Sequence, residues 1–555
     1  MRILRHALLA TALLAGLNGC GGRGERAGDD AKTTVAAGGA TGAKAGGTVI
    51  RRLESECKTL NWVLYTTTYE LFVLRHLYDP IIDYDQNGDL IPVLAASLPD
   101  VSADHLRVTI RLRDDIHWQD GVPITAHDVK FTLDRIQDPN IPAINKVAYF
   151  EKLASLETPD DHTLVFRWKE PFAPGMYAIT QLWPIPQHIY GKGDFMTNPA
   201  NRKPVGSGPF MFDEWRSGQY ISLKRYDDYH GKKAYLDRMI FKIVEDDAVA
   251  LNMLRAGELD EMRATQPQWE RQMSDPEFEA RFNKYQYYYP QYNFINWNCR
   301  SLWFSDPRVR LAMTLLFDRE SVNNKIYAGY ARLVSGPFYI NSWAYVKTVK
   351  PHPFDPEGAR KLLDQAGWKD SNGDGIRDKD GKKFEFELSI AHGSNTASQF
   401  AQLLQEECGK SGIRVNIRQV EGSTFFDKID KGEFDACTFA WILDLDPDVY
   451  DTFHSTKTPP NGLNHGGYSN ASVDSLLVEG RSEFDQEKRA AIYHRVHRIM
   501  HLDPPYTFVN SVPEKRPIAR KIQGVMISPR GPYDFWPGAN YWWIDENAAN
   551  VASDR

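Results

Sequence analysis

Apolar and polar residues follow two periods along this chain. "HLRVTIRL" (105–112) and "TLVFRW" (163–168) alternate at every second position, the pattern of half-buried strands. Between them, "TAHDVKFTLDRIQD" places Val129, Phe131, Leu133 and Ile136 on one helical face, with Thr125 as N-cap and Asp128 three residues later. "DAVALNMLRAGELD" (247–260) reads as an amphipathic helix ended by Gly257. Farther on come the strand "FEFELSIAHG", a helix over 396–410, the strand "IRVNIRQV", a short helix near Phe425 and the strand "FDACTFAW". Strand, helix, strand, helix, strand at this spacing predicts a parallel sheet with crossover helices. Ligands of such sheets lie beyond the carboxyl ends of the strands, which here points to "ILDLDPDVYDTF" after Trp441. The pattern as a whole is mixed α/β.

The first residues break this pattern. Arg2 and Arg5 precede an uncharged run from Ala7 to Leu17, too short to span a bilayer and shaped like a secretory signal over 1–19. Leu17-Asn18-Gly19-Cys20 resembles a bacterial lipobox, which makes Cys20 the expected lipidated N-terminus. From Gly21 to Gly46 the chain is nearly all Gly, Ala, Thr and charge, so residues 20–46 are expected to be an anchor and flexible tether. The remaining body, about five hundred residues, exceeds one ordinary core. A net charge of −7 without a basic tract argues against nucleic acid. Cys57, Cys299, Cys408 and Cys437 form an even set in an exported chain, and one or two disulfides are expected, with the pairing open.

Candidate chemistry is sparse. G-x-S-x-G, H-E-x-x-H and P-loop motifs are absent, which argues against an enzyme. His494, His497 and His501 recur at helical spacing and are expected on a polar helix face. Asp370, Asn372, Asp374 and Asp378, with Gly375, fall at positions 1, 3, 5, 9 and 6 of a calcium loop. Gly381 replaces the bidentate glutamate at position 12, so the loop is read as a weak structural calcium candidate or a polar turn; no other cofactor is expected.

Several longer segments carry a resemblance. "LYDPIIDYDQNGDLIPVLAASL" (77–98), "IRLRDDIHWQDGVPITAHDVKFTLDRI" (110–136), "GSGPF" (206–210), "FSDPRVRLAMTLLFDRESV" (304–322) and "FDPEGARKLLDQAGWKDSNGDGIRDKDG" (354–381) resemble, in order, the family 5 extracellular solute-binding proteins. These are the peptide- and nickel-type receptors of ATP-driven importers. The resemblance implies a bilobed periplasmic-binding-protein-like fold of type II that closes on its solute by a hinge. Lobe I is expected from 47–77, 200–285 and 495–555, with a subdomain inserted over 78–199, and lobe II from 286–494. The implied role is that of a monomeric, lipid-anchored substrate-binding protein. It would sit in the periplasm or on the outer cell surface and serve an ABC permease and its ATPase.

Peptide-binding members place an aspartate three residues after a tryptophan to receive the peptide's α-ammonium. Trp441 and Asp444 match that spacing, although the loop before Pro447 is one residue shorter than usual. The family's glycine-containing first-strand turn is replaced by Glu54-Ser55-Glu56-Cys57, while Thr59-Leu60-Asn61 keeps the spacing; Glu56 and Asn61 join the candidates. Tyr292 and Asn293 are candidates for the cleft or for the interior of a sheet. The alternative solute is an oligosaccharide stacked on tryptophan, suggested by 14 Trp. A receptor without transport function or a hydrolase is the reading of a different class.

Overall fold

The computed structural model describes residues 43–143 and 146–550. The expected signal, Cys20 and most of the tether lie outside the described residues. The described chain forms two compact units. One is built from residues up to Lys169, Ala178–Tyr287 and the chain from Glu514 onward; the other is built from Glu170–Tyr177 and Tyr288–Pro513.

In the first unit, Thr48–Leu53 runs parallel to Arg238–Ile243, and Tyr220–Arg225 and Phe210–Arg216 extend that sheet antiparallel. A separate antiparallel sheet pairs Asp100–Val101, Arg107–Arg111, Thr163–Trp168 and Leu153–Asp160 in that order. Its helix Ala126–Gln137 starts as the sequence predicts: Thr125 is the N-cap, and its N–H donates to Asp128 at 2.9 Å. Val129, Leu133 and Ile136 are buried, while Phe131 is half-buried.

The glycines of the "GSGPF" turn have a reason that the sequence conceals. Neither Gly206 nor Gly208 has a positive φ. A Cβ on Gly206 would lie 1.8 Å from the Leu77 carbonyl oxygen, and one on Gly208 would lie 2.6 Å from that of His76. The turn presses onto the end of helix Thr68–Leu77, where the Gly208 N–H donates to the Leu77 carbonyl at 2.8 Å. Glycine is required here for close approach rather than for conformational freedom.

The second unit is organised by a six-stranded sheet in the order Arg332–Leu333, Tyr506–Ser511, Gln291–Trp297, Ala436–Ile442, Glu385–Ala391, Arg414–Val420. The last three strands are parallel, as the strand-helix pattern predicts, with helices Asn395–Lys410 and Gly422–Lys431 as crossovers. The first three are antiparallel additions, so the sheet is mixed rather than purely parallel. Period-two alternation in Gln291–Trp297 sends Tyr292 and Phe294 to one apolar core and Ile295 and Trp297 to the other.

Two boundaries differ from the sequence expectation. Tyr506–Ser511 pairs with Gln291–Trp297, and Val496 and Met500 of helix Gln486–Leu502 fill the same core, so the unit runs to Pro513 instead of stopping at 494. Glu170–Tyr177, expected within the insertion, also packs here.

The disulfide expectation is corrected. Cys57, Cys299, Cys408 and Cys437 are all free thiols. Three of them are buried and act as small apolar residues; desolvation pushes each thiol's pKa up, that of Cys299 to about 11. The histidine face is corrected too. His497 is fully buried, Nδ1 accepts the Val346 N–H at 3.2 Å and Nε2 meets Ser335 Oγ at 3.0 Å. Burial, with the neighbouring His501, pulls its pKa down to about 3. A side chain that local periodicity places on a polar stripe is covered by the 335–346 segment from elsewhere in the unit.

Candidate ligand-binding site

Strand Ala436–Ile442 ends at the carboxyl edge of the parallel part of the sheet, and the loop that follows carries three aspartates at alternate positions. The loop leaves the sheet in register: Trp441 is paired with Tyr292, and the Leu443 N–H donates to the Pro290 carbonyl at 2.8 Å. Trp441 is buried and stacked between Phe294 and His465, with centroid separations of 5.8 and 6.0 Å. Tyr292 is buried against Phe294 and Phe508. Both side chains anchor the loop by packing. Asn293 points to the opposite face, where its amide donates to Asn510 Oδ1 at 2.9 Å.

The three aspartates have different fates. Asp446 receives both arms of the Arg489 guanidinium at 2.6 and 2.7 Å, a bidentate pair. Arg489 lies on helix Gln486–Leu502, is buried, and also donates to the Gly480 carbonyl at 2.8 Å. Burial lowers its pKa, but the Asp446 charge outweighs that and holds it above the ordinary value. Asp448 accepts from Arg481 Nε at 2.8 Å and from the Tyr450 N–H at 3.2 Å. Burial pushes the Asp448 carboxyl above its ordinary value, with the Arg481 charge opposing.

Asp444 is exposed, and Oδ1 accepts a hydrogen bond from the Tyr177 hydroxyl at 2.9 Å. Of the three carboxylates, Asp444 is the exposed one, whereas Asp446 and Asp448 are half-buried. A carboxylate offers about four acceptor positions, and the Tyr177 hydroxyl takes one of them.

The remaining sequence candidates lie apart from this loop. Glu56 and Asn61 belong to the first unit. Glu56 is fully engaged by its scaffold, accepting the Trp215 indole N–H at 2.7 Å and the Gly218 N–H at 2.6 Å. Asn61 is buried, donates to Asn201 Oδ1 at 2.8 Å and accepts the Val63 N–H at 2.8 Å. In the 370–378 loop, Asp370 accepts backbone N–H groups from Gly373, Asp374 and Gly375 at 2.8–3.1 Å, and Asp374 pairs with Lys383 at 2.6 Å. Asp378 accepts from the Ser371 N–H at 2.9 Å, and Asn372 from the Asp374 N–H at 2.9 Å. Among the described residues no group of three or more His, Cys, Asp or Glu is placed to hold a metal.

Sequence reasoning missed Tyr177, Arg481 and Arg489. Arg489 had a usable signal, because it shares one helical stripe with Ile492 and Val496, and a charge on an apolar stripe implies a buried counter-charge. Tyr177 had none, being 267 residues from its partner.

Comparison with known proteins places this geometry in context. Residues 89–463 match the family described as bacterial extracellular solute-binding proteins, family 5 Middle. The chain is 31% identical over 483 residues to the oligopeptide-binding protein AppA of Bacillus subtilis (strain 168), covering 84% of this chain and 86% of that protein. It is 27% identical to a probable di/tripeptide-binding protein 5 of Pseudomonas aeruginosa, covering 83% and 89% of the two chains. Among solved structures, AppA from Bacillus subtilis in complex with a nonapeptide superposes with a TM-score of 0.74 at 29% identity, over 91% of this chain and 100% of that one. NikZ from Campylobacter jejuni in complex with Ni(L-His) gives 0.74 at 26%, over 89% and 99%.

Proposed function

This chain belongs to the family 5 bacterial extracellular solute-binding proteins, and from that premise we propose that it captures a peptide and delivers it to the permease of an ABC importer. The observation that carries the peptide reading is Asp444, exposed at the carboxyl end of strand Ala436–Ile442 three residues after Trp441. An α-ammonium on Asp444 gains a charge-assisted hydrogen bond that offsets part of its desolvation. The similarity to peptide-binding relatives supports the same assignment. Export follows from the leader over 1–19, and lipid on Cys20 would hold the body near its permease and raise the effective concentration there. Among the described residues no helix is long and apolar enough to cross a membrane.

The tryptophan content that suggested an oligosaccharide is largely interior. Trp62, Trp118, Trp183, Trp297, Trp368 and Trp542 are fully buried. Those six rings are therefore unavailable as a sugar platform.

A thermal-shift screen of the body from Gly47 against di- and tripeptides, longer peptides, cello- and xylo-oligosaccharides and nickel tests the assignment, because a ligand of the folded state raises Tm. Peptide stabilisation that is lost in Asp444→Asn supports it. Stabilisation by sugars or nickel alone overturns the peptide reading and leaves the family role standing.

A further inference from the structure

The histidines that recur along helix Gln486–Leu502 all reach one segment of the chain. The Nε2–H of His494 donates to the Trp343 carbonyl at 3.0 Å, and the Nδ1–H of His501 donates to the Ser335 carbonyl at 3.2 Å. Between them His497 accepts the Val346 N–H on Nδ1 at 3.2 Å, so its single proton sits on Nε2, 3.0 Å from Ser335 Oγ. The segment is pressed onto that ring: a Cβ on Gly336 would come within 2.5 Å of His497 Cδ2, and the Tyr345 ring packs edge-on at 4.7 Å. Just beyond the segment, His352 stacks on His501 at 3.8 Å and donates from Nε2 to the His501 carbonyl at 2.8 Å. The segment reaches the aspartate loop through Trp343, which stacks on Tyr493 and lies 5.6 Å from the guanidinium of Arg489, the partner of Asp446.

We infer that residues 335–346 form an acid-sensitive clasp: a second proton on His497 opens it and loosens the loop that Arg489 holds. The neutral ring suits the clasp and the charged ring does not, because a proton on Nδ1 would face the Val346 N–H with another donor. The ionisable groups around the ring offer no compensation. His494, His501 and Arg498 on its own helix are bases, the segment contributes the Tyr345 phenol, and Lys347 and Lys350 farther along are exposed. His501 is no better compensated. His352 covers one face, and Arg319, from helix Arg319–Tyr327, is buried nearby with its guanidinium on the carbonyls of His352 and Phe508, while the neighbouring Glu320 is exposed. Burial accordingly pulls the pKa of His497 down to about 3 and that of His501 to about 4, and lowers that of His352. A released histidine titrates near its ordinary 6.5, so the open clasp binds the proton that the closed one refuses. Closure is at full strength above about pH 6.5 and weakens as pH falls toward the folded values, by about tenfold per pH unit for each histidine.

The test follows amide hydrogen exchange of the full chain by mass spectrometry at about pH 6.5 and about pH 4.5, corrected for the intrinsic pH dependence of exchange. The wild type is compared with His497→Gln and His497→Asn, whose side chains keep an acceptor and a donor and do not titrate. In the wild type, protection of 335–346 is expected to fall by roughly a hundredfold across that interval, with the aspartate loop following. Strands Glu385–Ala391 and Arg414–Val420 of the same unit should stay protected. Either variant should shrink the fall by about a hundredfold, the share of one histidine over that interval. An equal fall across the whole unit, or none in 335–346, overturns the inference from the wild type alone. So does a fall in a folded variant as large as in the wild type, and so does an aspartate loop whose protection is independent of 335–346. Selective opening of the two segments in the wild type supports the clasp even where a variant fails to fold. No peptide enters the measurement, so its outcome stands apart from the ligand assignment above.

Discussion

Two acidic loops of the same unit, 370–378 and 444–448, look alike as sequence and are built in opposite ways. In the first, Asp370 is satisfied by backbone N–H groups three to five residues downstream, and Asp378 by Ser371 seven residues upstream. In the second, Asp446 and Asp448 are matched by Arg489 and Arg481, 43 and 33 residues away, and Asp444 meets a tyrosine 267 residues away. A loop that satisfies its own charges is a self-contained turn. A loop whose charges are met from distant elements is held by the tertiary structure, and an exposed carboxylate in it is presented by the fold.

The strongest way to break that contrast is Arg489→Met. It leaves Asp446 half-buried without its bidentate partner, and a loss of about 3–5 kcal/mol is expected in urea denaturation. A loss below about 1 kcal/mol would show that the distant arginine does not hold the loop. Next, Asp444→Asn should weaken binding of a free-amine peptide tenfold or more while moving stability by less than about 0.5 kcal/mol. A stability change as large as that of Arg489→Met would make Asp444 a structural residue.

A smaller effect is expected in the self-contained loop. Asp370→Ala removes three local hydrogen bonds and should cost about 1 kcal/mol, with peptide affinity unchanged. The contrast also has a titration signature. Hydrogen bonds from Lys383 to Asp374 and from Ser371 to Asp378 hold those two carboxyls below the ordinary 3.8, whereas burial holds Asp448 above it. Carboxyls depressed in the folded state contribute stability above their unfolded pKa that is lost as pH falls through the folded one; Asp448 contributes with the opposite sign. Carboxyl NMR titrations should therefore order Asp374 and Asp378 below Asp448, and the reverse order would contradict the assignment of local and buried environments.

The fold was legible wherever the responsible interactions are local. The cap at Thr125, the stop at Gly257 and the alternating strands 107–111 and 163–168 all depend on residues within a few positions, and all appear in the structure. The parallel strands 385–391, 414–420 and 436–442 followed from spacing alone. What spacing could not supply was partnership across the chain: the pairing of Tyr506–Ser511 with Gln291–Trp297, or the burial of His497 by the 335–346 segment.

By itself, the sequence determined the family and the element pattern, together with Asp444 as a candidate, because these are written in short-range spacing and motif. The tertiary structure alone decided that Trp441 and Tyr292 pack instead of pointing outward, that Glu56 is spent on Trp215 and Gly218, and that Cys57, Cys299, Cys408 and Cys437 stay free. It also decided which of three similar aspartates is exposed. The physical reason is that a carboxylate's role depends on who supplies its counter-charge, and a counter-charge 43 residues away leaves no mark on the residues beside it.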